Sequence, residues 1–429
     1  MLERLFALET FGIKLGLENI RRLCDALDHP ERTFLSLHIA GTNGKGSVTA
    51  MVHAALMAAG IRAARYTSPH LVHVRERFVV GNAAVDDATL EEVAVDVLDR
   101  ADMLQRTGML PAPPTFFEAT TAIAFEIFRR KRVEVAVVEV GLGGRFDATN
   151  VLAAPVGAIT SIALDHQQHL GSTIAAIAGE KAGIIKPGMT VVCGQLPSAA
   201  LQVIQAVAAE RGATLVQPAA RDVYYEMREG RANLTIETER QRYGPLLLAL
   251  RGEHQVGNAV VAAGVLEAVS GHGLDVPIAA VVEGLETVQW PARLQLFQLA
   301  RGQRVLLDAA HNPEGARALR SYLATWHPEC PALVVGLMRD KDADAILREL
   351  LPVTSAVIAT APDTPRAMPA SELAARVRVL DSHRPITVSA NVRTALDTAL
   401  AQSRTVCVAG SIFLAGAVLE CLEPRGILR

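Results

Sequence analysis

The stretch HIAGTNGKGSVT, His38 to Thr49, decides how this chain is read. An apolar segment, Phe34 to Ala40, runs into a glycine-rich turn. A helix-forming stretch, Val48 to Ala59, follows at once. This order predicts strand, loop and helix, with three glycines and one lysine in the loop. Glycines let backbone N–H groups close around an anion, and the helix adds its positive N-terminal end. Lys45 would reach the terminal phosphates of a nucleotide, and the Ser47 hydroxyl would face a magnesium ion. The fit to the P-loop pattern is imperfect: Ile39 stands where the first glycine belongs, and Gly46 separates the lysine from the serine. The plain alternative is a glycine-rich turn with a chance lysine. The ordered run of strand, turn, lysine, hydroxyl and helix argues against it.

With 429 residues, half of them hydrophobic, the chain can bury more than one core, and two domains are expected. The formal charge of −3 offers no basic surface for nucleic acid. The best apolar run, Cys407 to Leu422, is short and broken by Ser411 and two glycines, so no membrane span is expected. The N-terminal MLERLFALETFG carries early acids and lacks a signal-peptide core. Five scattered cysteines suggest reduced thiols in the cytoplasm rather than disulfides or a zinc site.

Outward from the loop, strands and helices alternate. Val133 to Val140 is a nearly continuous β-branched run, the pattern of a strand buried on both faces of a parallel sheet. It carries Glu139 and leads into the turn GLGGRFDATN. Arg62 to Thr67 is a strand ending in Ser68, Pro69 and His70. Val156 to Leu164 is a strand ending in Asp165 and His166. Asp86 and Asp87 are ready N-caps, and Phe116 to Arg130 and Thr173 to Ile185 read as helices. From Asp222 to Leu250 polar and apolar residues alternate, as in an antiparallel edge or appendage. A second α/β pattern follows, with strands at Val305–Asp308, Ala332–Val335, Ala356–Thr360 and Thr405–Val408 and a helix opened by Asn312-Pro313. The expectation is an α/β chain. Residues 1–288 would form a P-loop-containing, parallel-sheet ATPase domain, 289–295 a connection, and 296–429 a smaller Rossmann-like domain.

Ligands of open parallel sheets sit at the carboxyl ends of the strands. Ser47, Ser68, Glu139 and His166 all fall there and could hold magnesium, which prefers oxygen and leans on substrate phosphates. His166 is the weakest by chemistry, since a strand-end histidine can equally bond backbone. Glu139 ends a run of valines, where a carboxylate is costly without a cation or donors. Lys181, in EKAGIIK, reads first as a snorkelling lysine in an apolar helix. The sharper alternative is a lysine of depressed pKa, able to react or be carboxylated. Asp308 and His311 could face a nucleotide across the cleft, or simply cap the next helix. A P-loop with magnesium means phosphoryl transfer to water, a hydroxyl or a carboxylate.

The motifs HIAGTNGKGS, YTSPHL, TFFEATT, VEVGLGGRFDATN, ALDHQQHLG, EKAGIIK, GEHQVGNA, LLDAAHNP and AGSIFLAGAV resemble those of bacterial bifunctional dihydrofolate synthase/folylpolyglutamate synthases, in the Mur-ligase superfamily. The resemblance runs from about Lys14 to Val418. It implies a cytoplasmic monomer whose small-molecule partners are ATP, L-glutamate, dihydropteroate and folates. It also implies two Mg2+ ions, with ATP as co-substrate. Thr42, Asn43, Gly44, Lys45, Gly46, Ser47, Asn258, Arg293, Asp308 and His311 would bind ATP. Ser68, Glu139 and His166 match metal ligands, Lys45 and His166 join the catalytic set, and Lys181 falls on a lysine carried as N6-carboxylysine in relatives. Leu15, Thr115, Phe116, Phe117, Glu118, Phe146, Asp147 and Ala148 match pterin-binding positions. Pro291-Ala292-Arg293 departs from the family, where a glycine sits between proline and arginine. A peptidoglycan-precursor ligase is the nearest rival reading, and a nucleotide-dependent binding protein without turnover is the second.

Overall fold

The computed structural model describes residues 2–12, 14, 16–217 and 222–423. Its first sheet holds β1 (Leu35–Ala40), β2 (Ala63–Tyr66), β3 (Phe78–Val80), β4 (Ala83–Ala84), β5 (Val135–Glu139), β6 (Val156–Ile159), β7 (Thr190–Cys193) and β8 (Thr214–Val216). Their order is β4-β3-β2-β5-β1-β6-β7-β8. All neighbours run parallel except at β3 and β4. The valine run lies where its composition places it, at β5 between β1 and β2, with every residue buried. Chain order reverses about β1, so the carboxyl ends of β1, β5 and β6 surround one crevice.

The helix after β1 is Lys45–Ala58, three residues longer at its start than its apolar pattern suggests. Gly44 is its N-cap at φ +86°, and the Val48 N–H already bonds the Gly44 carbonyl at 2.9 Å. Lys45, Gly46 and Ser47 therefore sit in the first helical turn. This helix is buried under helices His254–Ser270 and Ile278–Thr287.

Residues 222–247 form a separate antiparallel sheet of β9 (Asp222–Arg228), β10 (Arg231–Glu237) and β11 (Arg242–Leu247), an appendage rather than an edge of the main sheet. Its Leu234, Ile236 and Leu246 join the same core as the phosphate-loop helix. The third sheet contains β12 (Gln295–Gln298), β13 (Arg304–Leu307), β14 (Ala332–Val335), β15 (Val357–Ala359), β16 (Ile386–Val388) and β17 (Thr405–Ala409). It is ordered β12-β13-β17-β14-β15-β16 and is parallel but for β12. Gln295, expected in the connection, already pairs with Leu307 in this sheet.

The strand expected over Val156 to Leu164 stops at Ile159. Beyond it the polar groups serve the phosphate loop instead of a ladder. The Thr160 and Ser161 hydroxyls donate to the Asn43 carbonyl at 2.6 and 3.1 Å, and the Ala163 N–H donates to Thr42 Oγ1 at 3.1 Å. Cys24, Cys193, Cys330 and Cys407 are free thiols. Among the described residues, no helix is long and apolar enough to cross a membrane.

Candidate active site

The phosphate loop gathers two lysines on one oxygen. Lys45 Nζ donates to the carbonyls of Gly41 and Thr42, each at 3.1 Å, and Lys181 Nζ donates to the same Gly41 carbonyl at 2.8 Å. Lys181 ends helix Ile174–Ala182 and is 4% exposed. Burial, aided by the Lys45 charge, lowers its pKa to about 7. This lysine does not snorkel; its ammonium points inward at the loop. Asn258 closes the other side: a Cβ on Gly44 would lie 2.4 Å from Asn258 Oδ1.

Glu139 ends β5 beside this cluster. Its Oε2 accepts the Ser68 N–H at 3.2 Å. Burial pushes its carboxyl pKa up, against the opposing charges of Lys45, Arg293 and Arg77 and the Ser68 donor. The Ser68 hydroxyl is buried and has no hydrogen-bond partner among the described residues. A buried hydroxyl without a partner, next to a buried carboxylate, is a donor set for a hard cation such as Mg2+. Ser47 is buried in the first turn of the adjoining helix.

His166 belongs to a second cluster, which joins the two large sheets. It adopts φ +47° as the N-cap of the short helix Gln167–Leu170, past the end of β6. Burial, then the Lys341 charge, lowers its pKa to about 4, so the ring is neutral near pH 7. Its Nε2 lies 3.3 Å from Lys341 Nζ, which donates to Asp165 Oδ1 at 2.6 Å. Asp165 Oδ2 accepts from Asn312 Nδ2 at 3.1 Å and lies 3.7 Å from His311 Nε2. Burial alone would raise the Asp165 pKa. The His311 contact and the charges of Lys341, His166 and His311 more than offset it and hold the carboxyl well below its ordinary value. The loop residue Asn43 crosses the same gap. Its Nδ2 donates to Asn312 Oδ1 at 3.3 Å and Glu314 Oε2 at 2.5 Å, and its Oδ1 accepts from Asn312 Nδ2 at 2.9 Å.

Asp308 and Arg293 serve the connection. Asp308 Oδ2 accepts the Leu294 N–H and Oδ1 the Ala310 N–H, both at 2.8 Å. Arg293 Nη1 donates to the Ala292 carbonyl at 2.8 Å, and its charge reaches Glu139. Ala292 adopts φ +56°, in the left-handed region that favours glycine.

The family described as "Mur ligase, glutamate ligase domain" matches residues 292–412. The Mycobacterium tuberculosis dihydrofolate synthase/folylpolyglutamate synthase is 36% identical over 437 residues, covering 94% of this chain and 89% of that one. The chain belongs to the dihydrofolate synthase/folylpolyglutamate synthase family. The structure of M. tuberculosis folylpolyglutamate synthase complexed with ADP superposes with TM-score 0.91 at 34% identity, covering 98% of this chain and 97% of that one. E. coli FolC in complex with DHPP and ADP gives TM-score 0.87 at 29% identity, over 99% and 98% of the two chains. The Yersinia pestis bifunctional enzyme complexed with AMPPNP and Mn ion gives 0.84 at 29%, over 98% and 97%.

Within this family member, the expected pterin positions divide. Thr115 and Glu118 form a capping box: the Thr115 N–H donates to Glu118 Oε2 at 2.7 Å and the Glu118 N–H to Thr115 Oγ1 at 3.1 Å. Phe116 stacks on Phe6 at 5.8 Å between ring centroids, and Phe117 lies 6.1 Å from the Tyr66 ring. Phe146 is 43% exposed, whereas Ala148 is buried. Asp147 folds its own loop, accepting from the Leu142 N–H at 2.8 Å and from the Thr149 N–H at 3.0 Å. Leu15 lies outside the described residues. Sequence reasoning missed Lys341 and did not give Asp165 or Asn312 their roles between the sheets. The run RDKD around Lys341 was the available signal, and it reads locally as a solvated turn.

Proposed function

We propose that this protein joins L-glutamate to 7,8-dihydropteroate and to the γ-carboxylate of a folate, at the expense of ATP. The observation that carries the reading is the convergence of Lys45 and Lys181 on the Gly41 carbonyl beside Glu139 and Ser68. Binding a nucleotide needs the loop and Lys45. A second buried lysine and a buried carboxylate are more than binding requires. The substrates come from the relatives, which match this chain over nearly its whole length.

A carboxylate oxygen of the acceptor attacks the γ-phosphorus of ATP; the bond to the β-phosphate oxygen breaks, leaving ADP and an acyl phosphate. The glutamate amine attacks the acyl carbon and gives up a proton. The tetrahedral species expels phosphate, and an amide remains. Lys45 and the helix N-terminus offset charge that builds on the transferred phosphoryl group. The loop and the third sheet hold the two reactants together, which removes much of the entropic cost of meeting. Glu139 and Ser68 would hold Mg2+, with Ser47 and His166 as further ligands; bound there, the ion supplies positive charge beside the phosphates. Thr42, Asn43, Gly44, Gly46, Asn258, Arg293, Asp308 and His311 complete the ATP site in this reading. Phe116, Phe117, Phe146 and Ala148 border the pterin, and Thr115, Glu118 and Asp147 shape its walls. Lys181, short of a full charge near pH 7, is the amine that carbon dioxide would modify. Residues 1–288 act as the ATP-binding domain, 289–295 as the connection and 296–429 as the glutamate-ligase domain, in a cytoplasmic monomer.

The test is an incubation with ATP, MgCl2 and L-glutamate, offering dihydropteroate or tetrahydrofolate and separating products by mass. Glutamylated product from both acceptors is expected. ADP release only with a UDP-muramyl acceptor would overturn the reading.

A further inference from the structure

Trp290 lies in the connection, and its indole rests on the first turn of the phosphate-loop helix. A Cβ on Gly46 would come within 2.6 Å of the six-membered ring and 2.9 Å of Nε1. No residue larger than glycine fits between Lys45 and Ser47 while the indole stays there. This accounts for the glycine that interrupts the usual lysine–hydroxyl pair of a P-loop. The other face of the arrangement is Arg65 on β2, whose guanidinium carbon lies 5.3 Å from the Trp290 ring centroid. Burial lowers the Arg65 pKa to about 10. Among the described residues no carboxylate pairs with it, and Arg65 Nε and Trp290 Nε1 are buried without hydrogen-bond partners. A partly buried cation without a counterion is costly, and an indole ring is a partner that attracts it.

We propose that Trp290 is a positioning residue for the nucleotide site: braced by Arg65, its indole seats on Gly46 and fixes where the connection delivers Arg293. The proposal rests on the ATP-ligase reading above. Arg293 stands three residues beyond this anchor. On its other side the Leu294 N–H is held by Asp308 at 2.8 Å. Between the anchors the chain turns sharply, with Ala292 at φ +56° and Leu294 at φ +46°. The reach of Arg293 toward Glu139 and the phosphates is thus set from two sides. One side is the phosphate loop itself, so the connection and the loop register against each other directly.

The experiment uses the full chain and titrates a non-hydrolysable ATP analogue with MgCl2. The protein has two tryptophans, so Trp326→Phe leaves Trp290 as the sole reporter. Its emission should shift on addition of the analogue. Trp290→Ala and Gly46→Ala should each weaken binding by calorimetry roughly tenfold or more, and Trp290→Phe should restore it to within about threefold, because a phenyl ring keeps part of the cation–π contact. Arg65→Met in the single-tryptophan chain should red-shift the Trp290 emission. In turnover, the KM for ATP should rise while the KM for glutamate stays, a split that general loss of structure would not produce. Parental affinity in both Trp290→Ala and Gly46→Ala, or an equal rise in both KM values, overturns the proposal. Loss of the ligase reading would look different: the tryptophan-dependent binding would persist, and no acceptor would yield ADP.

Discussion

Replacing Lys341 with methionine tests whether the contact between the two large sheets is a buried ion pair. Lys341 Nζ lies 2.6 Å from Asp165 Oδ1, and the two side chains are 8% and 9% exposed. An exposed pair would contribute ~1 kcal/mol at most. Removing one partner of a buried pair costs ~3–5 kcal/mol, because the other charge is left desolvated and unmatched. Asp165 keeps the Asn312 Nδ2 donor at 3.1 Å and His311 at 3.7 Å, so the lower end of that range is expected, ~3 kcal/mol. Asp165→Asn should also destabilise, by leaving the ammonium to face an amide. The double variant should lose less than the sum, with a coupling of about 2 kcal/mol. The pH dependence has a definite sign. The folded protein depresses the Asp165 pKa, so the pair stabilises above the unfolded value of about 3.9. That contribution fades as pH falls below it toward the folded pKa. Urea unfolding of the four proteins at pH 7 and in acid measures each quantity. A Lys341→Met cost of ~1 kcal/mol or less at pH 7, additive single effects, or a penalty that persists undiminished in acid would refute the buried-pair argument.

Three further outcomes follow from the site. Lys45→Ala should lower ADP formation by about a hundredfold or more, since a cation aimed at the transferring phosphoryl group is lost; near-normal turnover would remove its assigned role. Lys181→Ala should lose activity and regain part of it with an added short carboxylate. Labelled bicarbonate should give a carbamate signal by NMR that grows as pH rises through about 7, where the amine loses its proton; a fully active enzyme with no such signal would count against carboxylation. Ala292→Gly should stabilise the fold by about 1 kcal/mol, because alanine at φ +56° carries a left-handed penalty that glycine lacks. A lower melting temperature for that variant would contradict the strain.

Much of the first sheet was legible because its signals are local. The valine run at β5 and the strand–glycine–helix order at β1 need only period and turn chemistry to be read. Asp86 was legible as a cap, and the structure shows it accepting the Thr89 N–H at 2.6 Å. The helix start at Lys45 was not, because it follows from Gly44 adopting φ +86° and not from apolar spacing. The early end of β6 was hidden for a related reason. Thr160 and Ser161 look like strand residues until the phosphate loop takes their hydroxyls. Thr115 and Glu118 carried a capping-box spacing in plain view, and pairing them with a ligand by resemblance passed over that local use.

By itself the sequence determined that this is an α/β chain with a phosphate loop, a buried carboxylate at the end of β5 and a second α/β unit after the connection. Those features depend on neighbours within a turn or a strand, where side-chain period and glycine placement act directly. The tertiary structure alone decided that Lys181 turns its ammonium onto Gly41, 140 positions away, and that Lys341 meets Asp165 across 176 positions. It also decided that Gly46 is kept small by a tryptophan of the connection. Such meetings are set by how elements far apart in the chain pack together, and no local period in the sequence records that geometry.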